Sequence, residues 1–265
     1  EAEKWFRKAI EIKPDFAEAH YNLGNFFKNT GNSDAALKSY QNAISINPDF
    51  AMAYNNSGVV LHDRGELESA IAKYRKALLL KSDYAEAHFN LALTLQTQGK
   101  VDEAVHSYRT ALLHNHSFVE AINNLSLLLQ DSGHLDEAET GYRRAISIDP
   151  EYGEAHYNLH SLLLAPDDMG PAVQCLRRAL EISPDRSDYH FMLGMLLDYS
   201  GTQDQAGPHL EAAANGTELD SANLDAWSHI KSSPSPPSRI TIIGSRIQAY
   251  KVSLDASPTV GLIME

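Results

Sequence analysis

Apolar residues recur along the chain at helical spacing in short paired blocks, and the pairs return every 34 residues. Between Ala17 and Pro48, Leu23, Phe26 and Phe27 form one block, and Ala36, Leu37, Tyr40 and Ala43 form the next, with Gly31 between them. Each block predicts a helix with one apolar face, and the glycine predicts the left-handed residue that ends the first helix. The unit is a helical hairpin. Full copies begin at Ala17, Ala51, Ala85, Val119, Gly153 and Ser187. Residues 1–16 read as the second half of an earlier copy, because Ala2, Phe6, Ala9 and Pro14 stand 34 residues before Ala36, Tyr40, Ala43 and Pro48. Without its first helix, that half leaves Trp5, Phe6 and Ile10 short of packing, and an incomplete array end invites self-association. The chain opens inside a helix, on Glu1 rather than Met, so it is expected to be a piece of a longer protein.

Other positions keep the same period. Gly65, Gly99, Gly133 and Gly201 repeat Gly31, and Pro14, Pro48, Pro150 and Pro184 stop the second helix. Small residues recur in the first helix at Gly24, Gly58, Ala92, Ser126 and Gly194, and in the second at Ala36, Ala70, Ala104, Ala138, Ala172 and Ala206. Bulk recurs at Tyr40, Tyr74, Tyr108, Tyr142, Leu176 and Leu210. His160 breaks the small series, and Asp167 with Pro166 and Pro171 predicts an irregular turn just after it. Gly207 and Pro208 predict a weakened or kinked last second helix. Residues 221–231 read as a capping helix that covers the last unit through Leu224 and Trp227.

These offsets resemble the tetratricopeptide repeat family over residues 1 to about 231. The resemblance implies an all-α fold, a right-handed superhelix of antiparallel helix pairs whose first helices line the concave side. Residues 232–238, SSPSPPS, have the composition of an extended linker. The tail, 239–265, has no period: Arg239 to Gly244 fits a strand or a helix entry, Ile247, Tyr250 and Leu254 suggest a helix, and Val260 to Glu265 an apolar strand. Weakly, this tail resembles the truncated start of a class I methyltransferase domain, whose glycine-rich nucleotide loop would lie beyond Glu265.

A net charge of -13 argues against a broad phosphate-binding surface and favours neutral or basic partners. No apolar run approaches the roughly 20 residues of a membrane helix, and no targeting segment is visible, which sets the expectation of a cytoplasmic protein, with the nucleus open. The one cysteine, Cys175, falls within a predicted helix and reads as a small buried side chain. His156 and His160 share a helix face but lack a third ligand, and His20, His88 and His190 repeat His156 by period, so packing explains them and no metal is expected. Neither a phosphate loop nor a nucleophile elbow is present, so this segment carries no catalytic residue and needs no cofactor.

The informative recurrence is polar. Asn22, Asn56, Asn90, Asn124 and Asn158 keep one register through five units, although asparagine is a poor helix former. A side-chain amide offers a donor and an acceptor, so such a ladder can grip an extended peptide backbone without reading its side chains. The alternative is that these amides bond neighbouring helices. The preceding residues, Tyr21, Asn55, Phe89, Asn123 and Tyr157, would share the same face, with Glu18, Met52, Glu86, Glu120 and Glu154 three residues earlier. The ladder is similar to that in the superhelix of the O-linked N-acetylglucosamine transferases, carried here also by the His-x-Asn-Leu runs at His20 to Leu23, His88 to Leu91 and His156 to Leu159. The basic residues of the chaperone-tail carboxylate clamp, known from other repeat domains, are missing. The expected function is a scaffold that binds extended polypeptide segments, with the recognition arm of a larger transferase as the alternative.

Overall fold

The structure, a computed structural model, describes residues 1–165, 168–215, 247–251 and 260–264. The expected capping helix, the linker, residues 239–244, Pro166 and Asp167 lie outside the described residues. Among the described residues thirteen helices follow one another: α1 Ala2–Ile12, α2 Ala17–Asn29, α3 Ser33–Ile46, α4 Ala51–Asp63, α5 Leu67–Leu80, α6 Ala85–Thr97, α7 Val101–His114, α8 Val119–Asp131, α9 Leu135–Ile148, α10 Gly153–Leu162, α11 Gly170–Ile182, α12 Ser187–Tyr199 and α13 Gln203–Asn215. The fold is the expected all-α helical-repeat solenoid. The chain divides into two compact units, Glu1–Ala121 and Ile122–Glu265.

Five of the six hairpin turns share one cause. Gly31, Gly65, Gly99, Gly133 and Gly201 take φ of 75°, 77°, 74°, 82° and 78°, a region where a β-carbon is strained. The residue after each glycine then donates its N–H to the carbonyl five residues back, as Asn32 does to Phe27 at 2.8 Å and Glu66 does to Leu61 at 2.9 Å. That bond satisfies a carbonyl the helix would otherwise strand, and it turns the chain at a fixed angle.

Packing explains the small and large series together. A β-carbon on Gly24 would lie 2.5 Å from Tyr40 Cε1, and one on Gly58 would lie 2.6 Å from Tyr74 Cε1. Tyr40, Tyr74, Tyr108 and Tyr142 are fully buried. Where Ser126 replaces the first-helix glycine, the facing second helix carries Gly141, whose β-carbon would land on the Ser126 hydroxyl. Volume lost on one helix is returned by the other.

The same 16-residue offset pairs His160 with Leu176, so the unit with the largest first-helix residue has a leucine in place of the tyrosine. His160 is buried; its Nδ1 bonds the Tyr157 carbonyl and its Nε2 has no partner among the described residues. Helix α10 stops after 10 residues where the other full first helices run 13. Its turn is irregular, as expected, with an isolated bridge between Ala165 and Asp168 and an Asp168 carboxylate that accepts the Gly170 N–H at 3.0 Å.

At the array ends the picture differs from expectation in part. α1 buries no residue, and Trp5 is 62% exposed. α13 runs through Pro208 as a single helix, held by Ala206 and Ala213 in the cluster with Leu193 and Leu196. In the tail, the helix expected from Ile247, Tyr250 and Leu254 is not formed: Ile247–Lys251 is a strand, β1, paired antiparallel with β2, Val260–Met264. Leu254 lies outside the described residues, and the pairing of Ile247–Lys251 with Val260–Met264 makes the first part of that segment a strand.

Two outcomes follow from this packing. Gly24→Ala should destabilise by about 1–3 kcal/mol, because the ring of Tyr40 has no free direction, and urea unfolding of the variant measures it. Burial lowers the His160 pKa from 6.5 to about 4. Between those values the unfolded chain binds the proton and the folded chain does not, so stability falls as pH falls, by up to about 3 kcal/mol. Replacing His160 with Ala should flatten that part of the profile, read as the difference between variant and wild-type urea midpoints at about pH 7 and about pH 4.5.

Candidate functional site

First helices carry the candidate residues, and the structure separates them into distinct roles. In the first unit Asn22 is exposed and makes no hydrogen bond among the described residues. Asn56 and Asn90 are half-buried, and Asn55 is buried at 3% exposure. Asn90 Nδ2 donates to Asn55 Oδ1 at 3.0 Å, and Asn55 Nδ2 donates to Asn56 Oδ1 at 3.1 Å. Asn56 Nδ2 then donates to Asn25 Oδ1 at 2.9 Å and to the Tyr21 hydroxyl at 3.0 Å. In the second unit Asn158 Nδ2 donates to Asn123 Oδ1 at 2.9 Å, and Asn123 Nδ2 donates to Asn124 Oδ1 at 3.3 Å. Asn123 is 2% exposed. Asn56, Asn90 and Asn158 therefore bond neighbouring helices, and Asn55 and Asn123 stand behind the face rather than on it.

Capacity remains on that face. An amide has two N–H donors and an oxygen with two lone pairs. Asn90 and Asn158 each use one N–H and keep the other with the whole oxygen, while Asn56 has spent both donors. The register ends at Met192, which is buried at the next equivalent position.

Aromatic members are half-buried and lean on the start of the following unit. Tyr21 lies 4.9 Å from Phe50 between ring centroids, Phe89 lies 4.8 Å from Phe118, and Tyr157 stacks on Tyr189 at 4.4 Å. Such pairs add about 0.5–1.5 kcal/mol beyond area burial, so these rings pack as well as line the face. Tyr157 lies deep enough that burial raises its phenol well above the usual range. Glu18, Glu86, Glu120 and Glu154 are exposed in the first turns of their helices, where a negative charge also suits the helix dipole.

Some functional detail escaped the sequence reading. Asn25 accepts both the Tyr40 hydroxyl, at 2.8 Å, and the Asn56 amide, and so joins the hairpin core to the amide network. Gln96 and Gln130 accept the hydroxyls of Tyr108 and Tyr142 at 2.8 and 3.1 Å. Their signal was a glutamine 12 residues before each tyrosine. The periodic histidines staple successive units: His20, His88, His156 and His190 bond through Nε2 to the carbonyls of Pro14, Ser82, Pro150 and Pro184 at 2.9–3.0 Å. Among the described residues no group of three or more His, Cys, Asp or Glu side chains could hold a metal ion, and no helix is long and apolar enough to cross a membrane. Cys175 is half-buried, and burial pushes its thiol pKa up.

Five sequence models described as tetratricopeptide repeat match residues 1–31 with 58–99, 17–50, 39–72, 85–118 and 119–152. Together they cover residues 1–152 without a gap, more than half of the chain. No curated protein matches it. Among solved structures the chain is similar to "YrrB: a TPR protein with an unusual peptide-binding site", at 25% identity over 68% of this chain and 93% of that one, TM-score 0.54. It is also similar to PilF of Pseudomonas aeruginosa, at 21% identity over 74% of this chain and 90% of that one, TM-score 0.65. A third likeness is to the Cut9-Hcn1 hetero-tetramer of APC/C, at 14% identity over 87% of this chain and 45% of that one, TM-score 0.71. The last two, below a quarter identical, bear on the fold alone.

Proposed function

Because the chain belongs to the tetratricopeptide-repeat family, we propose that it is a non-catalytic scaffold for protein–protein interaction, holding extended polypeptide segments against the first helices of its repeats. The observation that carries this reading is the spare capacity of Asn90 and Asn158, each with one N–H and an oxygen left after its bond within the array. A peptide unit offers one N–H and one C=O, the pair that such an amide can meet. The likeness to YrrB, described as having a peptide-binding site, supports the same reading.

Each unit serves by itself, the first through Asn22, Asn56 and Asn90 with Tyr21 and Phe89, the second through Asn124 and Asn158 with Tyr157. Exposed Glu18, Glu86 and Glu154 and the net charge of -13 favour neutral or basic segments. The transferase alternative rests on resemblance alone, since the family matches concern the repeats and end at residue 152.

The test uses a fluorescein-labelled dodecapeptide of Ser, Thr, Val and Ala, and a counterpart with three lysines. Replacing Asn90 and Asn124 with Ala should weaken binding on the order of tenfold; because it also takes a partner from buried Asn55 and from buried Asn123, the melting temperature should fall by about 4–8 °C, and binding is measured well below it. The lysine peptide should bind more tightly, with an advantage that shrinks as salt rises. Unchanged affinity in the double variant would overturn the amide reading.

A further inference from the structure

The amide network has a direction, and the direction is the same in both units. An amide's orientation is set by its partners, because its two ends are nearly alike in shape. Asn55 turns its oxygen to the next repeat, where Asn90 donates to it, and its nitrogen to Asn56 on its own helix. Asn123 does the same between Asn158 and Asn124. Asn55 and Asn123 lie 68 residues apart, two repeats, and the intervening unit carries Phe89 at that position. Both are almost fully buried, so neither has a face left for a ligand.

We propose that Asn55 and Asn123 are positioning residues that hold the face amides on either side of them in one orientation: Asn56 and Asn90 in the first unit, and Asn124 and Asn158 in the second. The use of that orientation rests on the peptide-binding reading; the orientation itself does not. A free asparagine on a helix can flip its amide and must be ordered when a peptide arrives. An amide already bonded through one N–H has lost that freedom beforehand, which reduces the ordering cost of binding. The orientation also makes the registers unequal. Asn56, with both donors spent, offers a peptide only an acceptor, whereas Asn90 and Asn158 offer both functions. Asn124 differs from Asn56 in keeping both donors while its oxygen accepts from Asn123, so the acceptor-only position belongs to the first unit alone.

Side-chain amide exchange by NMR tests the orientation in the free protein. The Nδ2 protons of Asn90 and Asn158 should exchange more slowly than those of Asn22, which has no side-chain partner among the described residues; equal rates in the wild-type chain would overturn the proposal. Asn55→Leu, which keeps the heavy-atom branching and removes the amide, should abolish the protection of Asn90 and leave that of Asn158, and Asn123→Leu should do the reverse. In the binding arm, with the Ser/Thr/Val/Ala dodecapeptide, Asn55→Leu should weaken affinity about tenfold. In an Asn56→Ala, Asn90→Ala background the same change should have less than about a twofold effect, because the groups it orients are gone. A loss of equal size in both backgrounds would show a purely structural role and overturn the proposal. Failure of the wild-type chain to bind the dodecapeptide would count against the peptide-binding reading, and the exchange rates would still decide the orientation.

Discussion

Everything in this chain depends on how closely two helices of one hairpin approach. That distance is set where a first-helix glycine meets a second-helix tyrosine, as at Gly24 and Tyr40, with no room for even one more carbon. The contact does two jobs. It buries an aromatic ring completely, and it places the tyrosine hydroxyl where a first-helix side chain can accept it, Asn25 for Tyr40 and Gln130 for Tyr142. A buried phenol without such a partner would forfeit much of what the ring gains. Once the pair is fixed, the first helix can turn only one face outward, and the asparagine register lies on it. The amide network is therefore built on the packing rather than beside it, and Asn25 is the residue where the two meet.

Much of the fold was legible because the period is long and the physical demands on each position are few. Glycine with φ near 75°, proline after the second helix and the small-to-large pairs each mark one position in 34, and their agreement identifies the hairpins. The tail at 247–251 was misread because helix and strand patterns coincide over so short a run, and only the pairing with 260–264 separates them. Gly207 and Pro208 predict a weakened or kinked helix, and α13 runs unbroken through Pro208 with Ala206 and Ala213 buried in the core cluster.

The candidate face was legible as a register and not as a network. Sequence places Asn55 beside Asn56, but it does not say that one is buried and the other half-exposed. That depends on which way the helix rolls against its neighbours. Nor does it say that the histidines at 20, 88, 156 and 190 hold carbonyls six residues back, since the bond crosses from one unit to the next. For the amides the period was visible while the partner was not, because a partner 35 residues away is fixed by stacking and not by local order.

The network also changes what the asparagines argue. Their poor helix propensity first pointed to a ligand, because nothing local justified them. Bonds to Asn55, Asn123, Asn25 and Tyr21 now justify Asn56, Asn90 and Asn158 without one. Asn22 is different. It is exposed, makes no bond among the described residues, and still keeps the register. Alanine there would favour the helix by several tenths of a kcal/mol and would leave no internal partner unsatisfied. Packing and the internal network both leave this position unconstrained, so the case for an external partner rests more securely on Asn22, and on the unspent donors of Asn90 and Asn158, than on the ladder as a whole.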